Sequence, residues 1–114
     1  MSFSMTTEQI RTRTKTVTRR LGWWFLRPGV RVWAVEQAMG LKKGEHVRRI
    51  CLLEIVSICA MPLSAITADD CAREGFPNMS PTDFVSMFCA HHDCSEDAMV
   101  NRIEFRYVDD SAGI

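Results

Sequence analysis

The chain has 114 residues, of which 46% are apolar and 25% charged. That length suits one domain around one hydrophobic core, and no apolar run approaches the roughly 20 residues needed to cross a bilayer. Lys and Arg together number 14, as do Asp and Glu, so the net charge at pH 7 is zero. The charges nevertheless segregate. Residues 1–49 carry eleven basic residues against Glu8, Glu36 and Glu45, a net of +8, and residues 50–114 carry the compensating −8. A basic half is the footprint expected for anionic partners, unless the two halves interleave in the fold and pair their charges. The opening MSFSMTTEQ lacks a basic-then-apolar leader pattern, which predicts a cytoplasmic location. Five cysteines, an odd number, argue against a disulfide framework. Cys51 and Cys59 sit in an apolar run and read as small core residues.

In chain order, MTTEQIRTRT predicts a short helix capped by Thr6 or Thr7, with Glu8 and Gln9 in its first turn. Thr12, Thr14, Thr16 and Thr18 with Val17 then favour extended backbone. Arg27-Pro28-Gly29 is a turn, VRVWAV (30–35) a strand with Trp33 as a structural residue, and LKKGEH (41–46) a second turn. VRRICLLEIVSICAM (47–61) is the longest apolar stretch. Its β-branched content predicts a strand carrying a bulge and ended by Pro62, although its periodicity also admits a helix. Thr67 to Asp70 resembles a capping box for a helix that Gly75 stops. Ser80-Pro81-Thr82-Asp83 opens another helix, whose apolar side holds Phe84, Val85, Met87 and Phe88. NRIEFRYV (101–108) alternates, with Ile103, Phe105 and Tyr107 on the buried face of an antiparallel strand. Strands and helices do not alternate regularly. The order predicts one α+β domain whose last strand returns to close a curled antiparallel sheet or barrel.

TKTVTRRLGWW (14–24) combines Lys15, Arg19 and Arg20 with adjacent Trp23 and Trp24. A core strand avoids such charge and a solvated loop avoids such aromatics, so the stretch suggests a surface for something flat and anionic. In an extended segment the two indoles point to opposite sides. One is expected in the core, and the other is free to stack on a base unless both serve packing. By residue type alone, Lys15 and Arg20 read as solvated surface charges and Thr18 as an ordinary strand residue.

TKTVTRR (14–20), RPGVRVWAV (27–35), AREGF (72–76) and NRIEF (101–105) together resemble the ASCH family in order and spacing. The likeness spans about residues 9–108 of a single domain 1–114, leaving 109–114 as a tail. It implies a small PUA-like curled antiparallel β-barrel with flanking helices, and RNA or a modified nucleoside as partner. One branch of the family removes the acetyl group of N4-acetylcytidine, and other members are linked to RNA cleavage. The resemblance to the GxKTxTxR-like segment of the deacetylating branch implies Lys15, Thr18 as nucleophile, and the basic Arg20. The later glutamate falls on Glu74. The glycine usual before the segment is missing, and Arg13-Thr14 stands in its place.

Amide hydrolysis needs a nucleophile, a base to activate it and an acid for the departing amine. Lys15 can serve as base if burial or neighbouring arginines lower its pKa. Glu74, if desolvated, can hold a proton for the leaving amine, and Arg19 or Arg20 can stabilise an oxyanion or bind phosphate. Lys15 and Thr18 have opposite parity, so a turn or bulge must separate them. Glu74 near a helix C-terminus is electrostatically ill placed. The expected cleft lies between residues 15–24 and the helix carrying Glu74. No cofactor is expected. CAHHDC (89–94) holds metal-capable groups, but all within six residues rather than in two separated pairs, so it reads as a helix end and not as a metal site. Three outcomes stay open: an amidohydrolase, a non-catalytic RNA-binding module and a ribonuclease.

Overall fold

The structure, a computed structural model, describes residues 1–36, 43–44 and 46–109. Its elements are α1 (Thr7–Arg11), β1 (Val17–Arg20), β2 (Arg31–Val35), β3 (Arg49–Pro62), a 3₁₀ turn (Leu63–Ala65), α2 (Ala68–Arg73), α3 (Pro81–His92) and β4 (Met99–Tyr107). The strands form one antiparallel sheet in the order β1-β4-β3-β2. The last strand thus returns between β1 and β3 and gives the expected α+β half-barrel. Of the turn predicted at 41–46, Lys43, Gly44 and His46 are described, and Gly44 takes φ +90°. Residues 110–114 of the tail lie outside the described residues.

The alternation in β4 decides its faces. Ile103 and Phe105 are buried in the curl, whereas Arg102, Glu104 and Arg106 face outward. In β3 the register against β4 shifts between Ile55 and Ser57, so Val56 is the extra residue of a bulge. Such a bulge bends the strand and raises its local twist, and here it helps the long β3 wrap the core. Residues 1–3 complete the curl. Phe3 N donates to Val35 O (2.9 Å) and Val35 N to Met1 O (2.9 Å) along the outer edge of β2. Arg20 Nη2, from the opposite edge strand, donates to Ser2 O (2.6 Å). The two sheet edges therefore meet through the N-terminal segment.

Two cores result. One fills the curl with Phe3, Ile10, Leu53, Ile55, Ile103 and Phe105 among others. The second packs Cys71, Phe84 and Phe88 of α2 and α3 against Leu63, Ile66 and Val100. The helix caps form as expected: Thr67 Oγ1 accepts from Asp70 N (3.2 Å) and Ser80 Oγ from Asp83 N (3.1 Å).

Three local expectations need correction. Thr6 stands at the N-cap of α1 without a side-chain cap bond, and Thr7 Oγ1 donates instead to Phe3 O (2.8 Å). The threonine-rich run becomes strand only at Val17. Cys59 is exposed, because beyond the bulge it falls on the outward face opposite Arg102, whereas Cys51 is half-buried against the core of the curl, and the fully buried cysteine is Cys71. Trp33, read as a structural residue, lies on the solvent side of β2, with the Arg49 guanidinium 4.6 Å above its ring.

Arg13 adopts φ +59° between α1 and β1, the position where the ASCH-like segment usually has glycine. A residue with a Cβ in this left-handed region costs about 1–2 kcal/mol. Arg13 also lies 5.3 Å over the Tyr107 ring, a contact that any truncation removes. Arg13→Gly and Arg13→Ala share that loss and differ in strain. Arg13→Gly is expected to be the more stable by about 1 kcal/mol in urea unfolding. Equal midpoints for the two variants would place no strain at this turn.

Candidate functional site

Lys15 sits just before β1, and three backbone contacts fix it there. Thr16 N donates to Arg73 O (2.8 Å), Phe105 N to Thr16 O (3.0 Å), and the Tyr107 hydroxyl to Lys15 O (2.5 Å). Because the strand starts only at Val17, the parity conflict between Lys15 and Thr18 disappears. Both side chains are buried, and both line the same cavity.

Glu74 is the C-cap residue of α2, and Gly75 follows it at φ +104°. A Cβ at position 75 would lie 2.7 Å from Gln9 Cγ, so α1 and the end of α2 approach as closely as only glycine permits. The carboxylate is set against the C-terminal end of its own helix, but Lys15 offsets this. Lys15 Nζ donates to Glu74 Oε1 and to Glu74 O, both at 2.7 Å, placing a cation where the helix end favours one.

Arg19 extends the ion pair. Its Nη1 donates to Glu74 Oε2 (3.2 Å) and its Nη2 to Asp70 Oδ2 (2.6 Å). Arg102 of β4 closes the other side, with Nε on Asp70 Oδ2 (2.6 Å) and Nη2 on Asp70 Oδ1 (3.0 Å). The series Lys15–Glu74–Arg19–Asp70–Arg102 thus ties β1, α2 and β4 together. Hydrogen bonds from Arg102 and then Arg19 hold the Asp70 carboxyl down to about 2. Burial pushes the Lys15 ammonium below the ordinary lysine range, Glu74 opposes this, and Arg20 and Arg19 add to it. Burial brings Arg20 down to about 10, so it remains a cation at neutral pH. Arg20 Nε donates to Thr18 Oγ1 (3.2 Å).

The cavity has a volume of about 640 Å³. Lys15, Thr18, Arg19, Arg20, Trp23 and Glu74 all line it. Trp24 is absent from that lining and is 59% exposed, next to Phe25 at 74%. The two tryptophans do part company, but through a turn in which Trp23 takes φ +66° rather than through strand alternation. The far wall was not legible in the sequence. It comes from α3, through Phe84, Phe88, His91 and His92, and from residues 1–6. The apolar side of α3 signalled burial but not burial against this site. His91 and His92 do stand in the last turn of the helix. Burial, then His91 and Arg20, lower the His92 pKa, which keeps that imidazole neutral at pH 7. Asp70 also went unassigned as a site residue, since its place in the capping box accounted for it.

No protein-family model and no curated protein matches the chain. Solved structures do. A DUF984 protein of Enterococcus faecalis V583 superposes with a TM-score of 0.65 over 93% of this chain and 71% of that one, at 13% identity. An ASCH domain from Lactobacillus crispatus JV V101 superposes with a TM-score of 0.59 over 90% and 70%, at 18% identity. At such identities the likeness speaks for the fold, and the fold is that of an ASCH-like domain.

Removing one member of a buried ion pair strands its partner, at a cost of about 3 kcal/mol. Asp70→Asn is expected to lose about that much in urea unfolding at pH 7. Asp70 has its pKa depressed on folding, so its contribution is complete above its unfolded value of about 4 and is lost as pH falls towards 2. The wild-type unfolding midpoint should therefore drop across that window, and the drop should shrink in Asp70→Asn. An identical acid profile in the two proteins would remove Asp70 from the acid response.

Proposed function

We propose that the cavity is a nucleoside site that hydrolyses the acetyl amide of N4-acetylcytidine within an RNA-related role. What supports this reading is the convergence of Lys15, Thr18 and Glu74, from two separate segments, on one aromatic-walled cavity of about 640 Å³. That volume is in the range of small-molecule sites, and Trp23 with the phenylalanines of α3 offers flat apolar surface to a base.

On this reading Thr18 Oγ attacks the acetyl carbonyl. Lys15, whose burial favours the neutral amine, takes the Thr18 proton and returns it to the exocyclic nitrogen of the leaving cytidine. Arg20, already bonded to Thr18 Oγ1, stabilises developing negative charge. Water then releases acetate from the acyl-threonine, so that one amide and one water give cytidine and acetate. Glu74 accepts hydrogen bonds from two cations and is therefore assigned to holding Lys15, stabilising the ammonium between the two transfers. A non-catalytic RNA module is the second reading, favoured by exposed Trp24 and Phe25 beside exposed Arg27.

Incubation with N4-acetylcytidine should release cytidine and acetate. Lys15→Ala, Thr18→Val and Glu74→Gln should each lose about a hundredfold or more in kcat, with Thr18→Ser retaining part of it. The rate should rise with pH along a limb lying below the ordinary lysine pKa, since the neutral amine is the active form. Folded protein that releases no acetate but binds RNA with strong salt dependence would sink the amidohydrolase reading in favour of the module. Shortened RNA would point to a nuclease.

A further inference from the structure

The charges around the cavity do not balance. Lys15, Arg19, Arg20 and Arg102 are four cations, and Glu74 and Asp70 are the two carboxylates they share. Glu104 touches Arg102 (3.7 Å) and also Arg73 (3.6 Å), so it adds one acid and one more base and leaves the excess at two positive charges. Buried charge is normally paired, because an unpaired ion loses hydration without compensation.

The excess is localised. Arg20 lines the cavity, and its hydrogen-bond and ring partners are neutral: Thr18 Oγ1, Ser2 O and the Phe3 ring 4.8 Å away. The carboxylate that acts on it from a distance is Glu74, which Lys15 and Arg19 already share. The Arg19 side chain is 1% exposed and lines the same cavity. Its terminal nitrogens are taken up by Glu74 and Asp70, and its Nε is shielded by protein atoms from any occupant of the cavity. Of the two arginines of β1, Arg20 is therefore the one with no carboxylate bonded to it. An anionic acceptor in the cavity meets that deficit.

We infer that the cavity takes a ligand bearing a phosphate group, which Arg20 recognises, so that a nucleotide and not a neutral nucleoside is its preferred occupant. The inference rests on the reading of the cavity as a nucleoside site and adds the charge of the ligand to it. Phosphate suits the site because arginine forks match its oxygens and keep their own charge at neutral pH. The base then lies against Trp23 and the α3 phenylalanines, and the phosphate lies on β1.

The test is calorimetric titration of the wild-type chain with cytidine, cytidine 5′-monophosphate, a cytidine dinucleotide and inorganic phosphate. The monophosphate is expected to bind at least about tenfold more tightly than cytidine, the size of effect given by one charge-assisted hydrogen bond. In Arg20→Gln that ratio should fall towards one, and in Arg20→Lys, which keeps the charge without the fork, it should take an intermediate value. Tighter binding of the dinucleotide than of the monophosphate would assign the site to a backbone phosphodiester, and the reverse order to a terminal phosphate. Equal affinities for cytidine and its monophosphate in the wild type overturn the inference, and this comparison does not depend on any variant folding. So does a ratio that Arg20→Gln leaves unchanged. Inorganic phosphate that binds in an Arg20-dependent manner, with no cytosine ligand preferred, keeps the anion site and removes the nucleoside reading.

Discussion

The buried pair between Lys15 and Glu74 is the constraint around which the rest is arranged. A lysine ammonium removed from water needs close acceptors, and two oxygens of Glu74 at 2.7 Å provide them. Those oxygens belong to a residue 59 positions away, so the contact fixes the end of α2 against the start of β1. The small gap left by Gly75 lets α1 close over the junction. Arg19 and Arg102 then carry the same constraint across Asp70 to β4. A buried ionic chain of this kind adds little net stability compared with apolar packing, but it specifies one arrangement. Its product is a set of polar groups held in place before any ligand arrives, which is the condition for electrostatic preorganisation.

The cavity lies at the seam between two apolar cores. Phe3 belongs to the core inside the curl, Phe84 and Phe88 belong to the helix-side core, and all three line the cavity. The seam stays open because β1 is only four residues long and ends at Arg20, whose side chain crosses to residue 2 instead of continuing the ladder. A longer β1 paired directly with the N-terminal segment would close the half-barrel and fill the space. The short edge strand and the bridging arginine thus belong to one design: the sheet curls enough to bury a core and stops short of sealing it.

Much of this was legible locally. The alternation in β4, the bulged apolar run of β3 and the two capped helices follow from side-chain period and cap chemistry, which neighbours in sequence determine. The grouping of Lys15, Thr18, Arg20 and Glu74 came from a resemblance, since no local rule joins residue 15 to residue 74. What escaped was set by tertiary partners. The charge asymmetry suggested an open basic face, yet β4 inserts beside β1 and brings Arg102 and Glu104 of the acidic half against the basic one. Arg19, read as a phosphate contact, is mostly engaged with Asp70 and Glu74. Cys59 looked apolar enough for the core but falls on the solvent side of β3, beyond the bulge. The α3 wall was invisible because the pattern of a helix names its apolar face without naming what that face covers.

Proton traffic at the site is narrowly confined. Arginine does not release its proton at physiological pH, and Glu74 is held between two cations, so within the ion-paired series Lys15 is the group best placed to exchange one. Burial and the two arginines favour its neutral form, while Glu74 favours the charged one. An anion entering beside Arg20 would shift that balance, because negative charge nearby stabilises the ammonium and offsets the arginine that opposes it. Ligand charge and the protonation of Lys15 are thereby linked: a phosphate-bearing occupant favours the ammonium more than a neutral one does. For the proposed hydrolysis this sets a division of labour. A neutral amide substrate leaves the Lys15 balance as the fold sets it, whereas a nucleotide substrate makes the amine harder to free, the more so the closer its phosphate lies. The lysine limb of the pH–rate profile should then lie higher for a nucleotide substrate than for a nucleoside, in proportion to how closely the phosphate approaches.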